Sequence, residues 1–485
     1  MKSLRWAGVR FVALALAIGT AAGGCATNPA TGRSQVMLIS EAQEIAMGRE
    51  YDQVIVASIG LYPDPALQTY IQRLGAQLAA TGERPNLPWT FRVVDDPTVN
   101  AFAVPGGFIY VTRGLMAHLN SEAELAAVVG HEIGHVTARH TVSQMSNQQL
   151  AGLGLGIGSI LSSDVARYAD VAGAAVGILF LKHSRDDERE ADDLGLRYLR
   201  RGNFDPRAMP DVFVMLERVS AFHGGGRVPE WLATHPSPAN RRENIANQIA
   251  ALPQDFAGTT VNHESYIQRL DGQVFGVNPR EGFTSGAVFQ HPDLRFQIAF
   301  PQGWAVNNGK QAVVAVSEAN DGAVELTMAS EASAEAAAQA FFGQEGLTSG
   351  AVSRAQLHGL PASRATFTVA AEGGRMDGSA VFVEHGGAVF RLLGYAPSAR
   401  WSAYRAIVEQ SLISFQPLTN AAALAVQPHR LVILRLASRT TITTLAGQRP
   451  SPTAGDVLAL INQVEVGTSL ASGQLIKWVV GRPTP

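Results

Sequence analysis

His131 and His135 are four residues apart with Glu132 directly after the first, and on a helix that spacing stacks two imidazoles on one face, about one turn apart. Both rings can then reach one metal ion, while Glu132 can hold a water on that ion without ligating it. The chemistry this supports is hydrolysis. Zinc lowers the pKa of its water and polarises a scissile carbonyl, and Glu132 passes the water's proton to the leaving amine. Taken singly, each of these residues is more ordinarily a satisfied surface or core group. Within one turn, their joint burial is costly unless something compensates it.

A catalytic zinc site needs a third protein ligand and an open position. The run Ser184-Arg185-Asp186-Asp187-Glu188-Arg189-Glu190-Ala191-Asp192 offers Glu188 and Asp192 four apart on one helical face. The first would bind the metal and the second would accept a hydrogen bond from a ligand imidazole, fixing its tautomer. The same run also reads as a solvated acidic helix, supported by Asp186, Asp187, Glu190 and Asp193. Spacing alone does not choose between the two.

The elements that must position these groups follow from periodicity and punctuation. Ser121 opens a helix, since Ser121-Glu122-Ala123-Glu124 fits a capping box and apolar residues continue through Val136. Trp89 to Asp95 and Gly107 to Thr112 are short β-rich runs bounded by proline and glycine, hence strands. Ser40 to Ala80 is mainly helical, interrupted at Pro63 and Pro65. Leu150 to Leu181 is apolar and glycine-rich, and Asp164, Arg167 and Asp170 divide it into pieces too short to cross a bilayer. It reads as a core helix pair, with a membrane-dipping or substrate-gating segment as the alternative.

A chain of 485 residues is too long for one ordinary core and implies two to four domains. With 46% hydrophobic and 16% charged residues the body should fold. A formal charge of -3 gives no basic field for a phosphate backbone, which argues against a nucleic-acid partner. Lys2, Arg5 and Arg10 precede an apolar run from Phe11 to Ala22 that ends in Ala22-Gly23-Gly24-Cys25, an export signal. Small residues before a cysteine resemble a bacterial lipobox, although Ala22 stands where leucine is more usual. Residues 1–24 would then be a lipoprotein signal peptide, and Cys25, the single cysteine, would carry acyl chains that hold the protein on a membrane. Ala26, rather than aspartate, favours the periplasmic face of the outer membrane. Asn28-Pro29-Ala30-Thr31-Gly32-Arg33 reads as a turn-rich tether.

Beyond about residue 265 the pattern changes. Strands are expected at Phe296 to Phe300, Val313 to Val316, Val324 to Met328, Ala365 to Val369, Ala380 to Glu384 and Val389 to Leu393, with helices from Ser333 to Phe342 and Trp401 to Leu412. That order resembles a PsbP-like α+β sandwich over residues 283–418. Residues 425–485 hold two strands, Leu431 to Leu436 and Leu475 to Val480, around two short helices, and resemble a degenerate LysM module.

Roughly Asn28 to Asn247 resembles the M48 metallopeptidases, the family of the CAAX prenyl proteases and HtpX-type proteases, in its soluble periplasmic lipoprotein branch. The segments that carry the likeness are Asn100 to Gly107 followed by Val111 and Gly114-Leu115, His131 to His140, Ser184 to Asp192, and His235-Pro236 through Arg241. The resemblance implies a mostly helical gluzincin-type domain with a small β-sheet over residues 25–265, within an α+β multidomain chain. It implies one zinc per chain on His131, His135 and Glu188, Glu132 as general base, and Asp192 behind a ligand imidazole. Asn100, Ala101, Phe102 and Ala103 would be an edge strand pairing with an extended polypeptide substrate. His235 and Arg241 would lie near the reacting carbonyl as oxyanion donors. In some relatives the matching histidine is instead a fourth zinc ligand that shuts the site, and the plain alternative is a capping loop with a surface arginine. His140 is assigned packing or hydrogen bonding. The expected function is a metalloendopeptidase acting on misfolded or misassembled envelope proteins, with the later domains contacting peptidoglycan or an outer-membrane assembly complex. Its rivals are a non-proteolytic assembly factor or chaperone that keeps zinc for structure, against which intact Glu132 argues, and a peptidoglycan-binding adaptor.

Overall fold

A computed structural model describes residues 25–154, 182–222, 231, 234–235, 240–253, 255–371 and 374–481. The signal expected over residues 1–24 and most of the apolar stretch from Leu150 to Leu181 lie outside the described residues. The chain divides into two compact units, one of residues 1–56, 60–275 and 430–479, the other of residues 57–59, 276–429 and 480–485. It is a mixed α+β, multidomain protein.

The first unit holds the histidines. A three-stranded sheet has β1 (Thr90–Val94) and β2 (Ala101–Val104) on either side of β3 (Phe108–Thr112), with β1 parallel and β2 antiparallel to it. β3 is buried at every position, as expected for a central strand covered on both faces. β2 is an edge strand among the described residues.

Helix α1 (Glu122–Ala138) begins where the sequence places it: Ser121 Oγ accepts from the Glu124 N–H at 3.1 Å. The reciprocal arm differs from a capping box, since Glu124 accepts from the N–H of Asn120 at 2.8 Å. All residues of α1 are buried, so it is a core helix and not an amphipathic surface one. It ends at Arg139, in the left-handed conformation with φ 61°. That conformation is held because Arg139 donates to Glu44 and to the Ile39 carbonyl, each at 2.8 Å.

Helix α2 (Arg185–Arg201) starts with a full capping box, Ser184 with Asp187. Its acidic outer face is solvated, Asp186 being 81% exposed at the side chain, while its inner face carries Glu188, Ala191, Asp192 and Gly195 against α1. Both readings of this acidic run are thus realised, one on each face. The two helices approach through glycines. A Cβ on Gly134 would fall 2.9 Å from the Ala191 carbonyl oxygen, and one on Gly195 would fall 3.1 Å from the His131 nitrogen. Helix α3 (Arg241–Ala250) packs on α2.

The carboxy-terminal segment, expected as a module of its own over residues 425–485, belongs through Val479 to this same unit. Its elements are close to those read from the sequence: a strand over His429–Arg435, helices over Ile442–Gln448 and Gly455–Ile461, and a strand over Leu475–Val480. The two strands form a sheet with Val274–Phe275. The reason for the merger is a side chain that local patterning hides. Lys477, buried in its strand, donates to the carbonyls of Ala117 and Leu119 at 2.7 and 2.8 Å, which closes the helix just before α1.

The second unit holds an antiparallel eight-stranded sheet and a smaller antiparallel sheet of four strands, Phe283–Ser285, Val288–His291, Phe296–Ala299 and Gln416–Pro417. The helix Ser398–Ile413 packs with an aromatic cluster of Phe289, Phe296, Phe390 and Phe415, and the helix Ala334–Phe342 packs with a separate cluster around Phe367 and Phe382. Its long strands, Leu360–Ala371, Gly374–His385 and Ala388–Pro397, extend well past the apolar runs read from the sequence, because the hairpin ends pair through polar, exposed residues.

Because the contact at Gly134 is with backbone, Gly134→Ala forces the two helices apart. The expected cost is about 1–3 kcal/mol, read as a lower melting temperature, and zinc affinity should fall with it as Glu188 recedes from the imidazoles. A variant with wild-type melting and zinc binding would show that the crossing is not tight.

Candidate metal centre

His131 and His135 project from α1 with their Nε2 atoms 3.1 Å apart, as one-turn spacing requires. From α2, Glu188 brings Oε1 to 3.4 Å from His135 Nε2 and Oε2 to 3.7 Å from His131 Nε2. His235, from the segment before α3, completes a group whose ligand atoms all lie within 4.8 Å of one another. The four residues are 2%, 3%, 0% and 3% exposed. Oε1 of Glu188 and Nε2 of His235 have no hydrogen-bond donor among the described residues, while Oε2 of Glu188 meets the Arg241 guanidinium, with Nη1 2.7 Å away. Buried lone pairs that converge without donors are costly, and a cation is the partner that fits them.

The charges agree. Glu132, Glu188 and Asp192 are three buried carboxylates facing one buried guanidinium, Arg241. The surplus of two negative charges matches a divalent ion. Burial pushes Glu188 up to about 9 against the pull of Arg241, and pushes Glu132 up to about 8 against Trp231 and Arg241. Burial likewise holds His131, His135 and His235 below their ordinary value, which keeps the rings neutral as ligands must be. Nitrogen and oxygen donors of this kind suit zinc.

The surroundings orient the ligands. His131 Nδ1 lies 3.0 Å from Asp192 Oδ1, which places Asp192 behind a candidate ligand ring. Burial works to raise the Asp192 carboxyl, and the Arg241 guanidinium overrides that and holds it below the usual range. Arg241 grips Asp192 with two bonds of 2.7 and 2.6 Å and brings Nη1 to 2.7 Å from Glu188 Oε2. It is 1% exposed. Arg241, expected near the reacting carbonyl, is placed as the counter-charge of two buried carboxylates, Asp192 and Glu188.

Two residues escaped sequence reading. Trp231 donates to Glu132 Oε1 at 3.2 Å and stacks on His235 with ring centres 4.9 Å apart; its one signal was standing four before a candidate histidine. His183 lies with its ring 4.0 Å from that of His135, and its signal was preceding the Ser184 cap. The expected substrate strand lies beside the site. β2 packs on α1, and the Trp231 N–H reaches the Val99 carbonyl at 3.5 Å. Ala101 and Phe102 are buried, Ala103 is half-buried, and Asn100 joins backbone to Thr112 at 3.0 Å. Cys25 pairs with Val36 in a two-stranded hairpin.

Residues 65–249 match the family model described as peptidase family M48. The chain is 37% identical over 237 residues to the beta-barrel assembly-enhancing protease of Yersinia pestis, covering 46% of this chain and 48% of that protein. It is 35% identical over 238 residues to the protein of the same name from Escherichia coli (strain K12), covering 47% and 48%. The mitochondrial metalloendopeptidase OMA1 of Arabidopsis thaliana is 37% identical over 171 residues, covering 35% and 33%. The chain spans about half the length of the assembly-enhancing proteases it matches. A cyanobacterial PsbP from Synechocystis sp. PCC 6803 aligns with 28% of this chain and 95% of its own at 13% identity, with a TM-score of 0.24.

Purified protein should hold one zinc per chain by elemental analysis, and His131→Ala should hold none. At a ligand excess of a thousand over Kd, binding adds about 4 kcal/mol to stability, so a strong chelator should lower the melting temperature of wild type and leave that of His131→Ala unmoved.

Proposed function

We propose that this chain is a zinc-dependent metalloendopeptidase, with His131, His135 and Glu188 as ligands, Glu132 as general base, and polypeptides of the cell envelope as substrates. The observation that carries it is the enclosure of four converging ligand atoms within 4.8 Å of one another with Glu132 beside them, 1% exposed and 3.6 Å from His235. When bound, zinc supplies a Lewis acid for the scissile carbonyl and acidifies a water. Glu132 takes a proton from that water and returns it to the leaving amine. Burial tunes it for the return step by raising it to about 8, and the cation's field acts in the opposite sense, favouring the ionised base. The Trp231 N–H on Oε1 fixes the carboxylate and leaves Oε2 for the proton. Arg241, through Asp192 and Glu188, positions both ligand helices.

β2 is the candidate rail for substrate. Its outer edge can pair with an extended chain from Asn100 through Ala103, giving affinity through main-chain bonds and tolerance of sequence. A lipid on Cys25, placement in the periplasm on the outer membrane, and work on misassembled outer-membrane proteins extend the reading. They are supported by the Ala22-to-Cys25 motif and by relatives named beta-barrel assembly-enhancing proteases. No helix among the described residues is long and apolar enough to cross a membrane. The PsbP-like and LysM-like parts would select substrate or location.

For His235 the geometry favours a fourth ligand over an oxyanion donor, because its Nε2 has no hydrogen-bond partner among the described residues and lies within the ligand cluster. The chain would then rest in a closed state. Casein cleavage by Glu132→Gln is expected to fall by about a hundredfold or more with zinc retained; equal cleavage by the two proteins would refute the catalytic reading. His235→Ala should keep zinc and cleave faster than wild type, whereas a loss of turnover would return this residue to the oxyanion role.

A further inference from the structure

His131 and His135 face each other through Nε2, so the Nδ1 atom of each points away from the ligand cluster and needs its own partner. For His131 that partner is Asp192. Among the described residues His135 has no carboxylate behind it; its Nδ1 lies 2.9 Å from Nδ1 of His140. Two imidazole nitrogens at that distance bond only if one donates and the other accepts. A cation at Nε2 of His135 leaves that ring's proton on Nδ1. His140 must then accept at Nδ1 and carry its proton on Nε2. That atom faces Glu190 Oε2 at 3.3 Å, with Asp187 farther off at 3.7 Å.

The second oxygen of Glu190 accepts from Asn28 Nδ2 at 2.8 Å. Asn28 belongs to the turn that the sequence reads as a tether, yet it is 3% exposed. Its Oδ1 accepts from the N–H groups of Ala30 and Thr31 at 2.8 and 3.3 Å. Its backbone bonds Arg33 and Gly32 at 2.7 and 2.9 Å, closing the turn between the strands Cys25–Thr27 and Ser34–Val36. With the oxygen taken up by the turn, the amide nitrogen can point only at Glu190.

We propose that the amino-terminal hairpin is an arm of the metal centre: Asn28, acting through Glu190 and His140, holds His135 in the tautomer and orientation that ligation requires. The inference rests on reading His131, His135 and Glu188 as zinc ligands. The chain of bonds allows one proton order. Asn28 and His140 both donate to Glu190, His135 donates to His140, and a lone pair of His135 is left for the ion. Both ligand rings are thereby backed by a carboxylate, directly for His131 and through one imidazole for His135. Asn28, Glu190 and His140 are positioning residues, none of them touching the reacting atoms.

Asn28→Asp separates this role from simple turn formation. Its carboxylate still accepts from Ala30 and Thr31, but it presents an acceptor to Glu190 where a donor stood. Glu190→Gln leaves one acceptor oxygen for two donors. In full-length protein both should weaken zinc binding about tenfold or more in competition with a chromophoric chelator. Both should also change the visible spectrum of the cobalt-loaded protein, with far-ultraviolet circular dichroism unchanged. Should the aspartate variant fail to fold, Asn28→Ala and Glu190→Gln give the same two readouts. Wild-type affinity and spectrum in these variants, with zinc lost from His131→Ala, would overturn the arm and leave the metal site standing. Zinc retained by His131→Ala would remove the site itself, and the arm with it.

Discussion

The approach of two helix backbones at Gly130, Gly134 and Gly195 is the constraint from which the rest follows. A carboxylate reaches only a few ångströms from its own helix, so Glu188 can meet His131 and His135 only if α2 lies almost against α1. Any side chain larger than hydrogen at the crossing would separate them, since the nearest atoms are the Ala191 carbonyl and the His131 main chain. Close contact also removes water. That gives each buried charge a high desolvation cost and makes the site dependent on internal compensation. Arg241 supplies part of it, spanning Asp192 and Glu188 with one planar fork, and a divalent ion supplies the remainder.

Compensation by one arginine has a mechanical consequence. Arg241 stands on α3, Asp192 and Glu188 on α2, and Asp192 in turn holds a ring on α1. The guanidinium also lies over the rings of Phe213 and Trp231, at 4.9 and 5.6 Å from their centres. Three helices and the Trp231 segment are thus tied by charge and ring contacts around the candidate metal centre, and Glu132 is tied to the same segment through Trp231. Orientation of His131, His135, Glu188, Glu132 and His235 is therefore one problem with one solution, and a change at any of these groups should spread to the others.

The local chemistry was open to sequence reading and the distant contacts were not. His131, Glu132 and His135 are legible because one helical turn fixes their relation. Glu188 and Asp192 were legible as a pair sharing a face, but whether that face looked to water or inward depended on the glycine crossing, which no spacing within Ser184 to Asp192 reveals. Trp231, His183 and Asn28 are joined to the site across long stretches of chain, and each has a bland local context. The turn Asn28 to Arg33 has the composition of a linker and is largely exposed, and only Asn28 within it is buried, where its amide donates to Glu190. Arg241 shows the converse: its place near the site is legible in the sequence, while its pairing with Asp192 and Glu188 depends on which carboxylates are buried around it. In the second unit, alternation located the strand centres and missed the polar hairpin ends.

The ends of α1 show why the surrounding chain cannot be separated from the site. At its carboxy end, buried Arg84 bonds Glu44 and the Val136 carbonyl at 2.9 Å each, and Arg139 bonds the same Glu44, so the turn that leads from His135 to His140 is locked. At its amino end, Lys477 closes the carbonyls of Ala117 and Leu119, and Gln463 bonds Glu124 at 2.8 Å. Burial pushes Lys477 down to about 7 against the pull of Glu124, a cost borne by a residue that the sequence assigns to another module. Charges buried at both ends of one helix fix its position along its axis, and a shift of even a fraction of a turn would carry the imidazoles away from Glu188. The metal centre is therefore defined as much by the segments that stop α1 from sliding as by the side chains that would hold the ion.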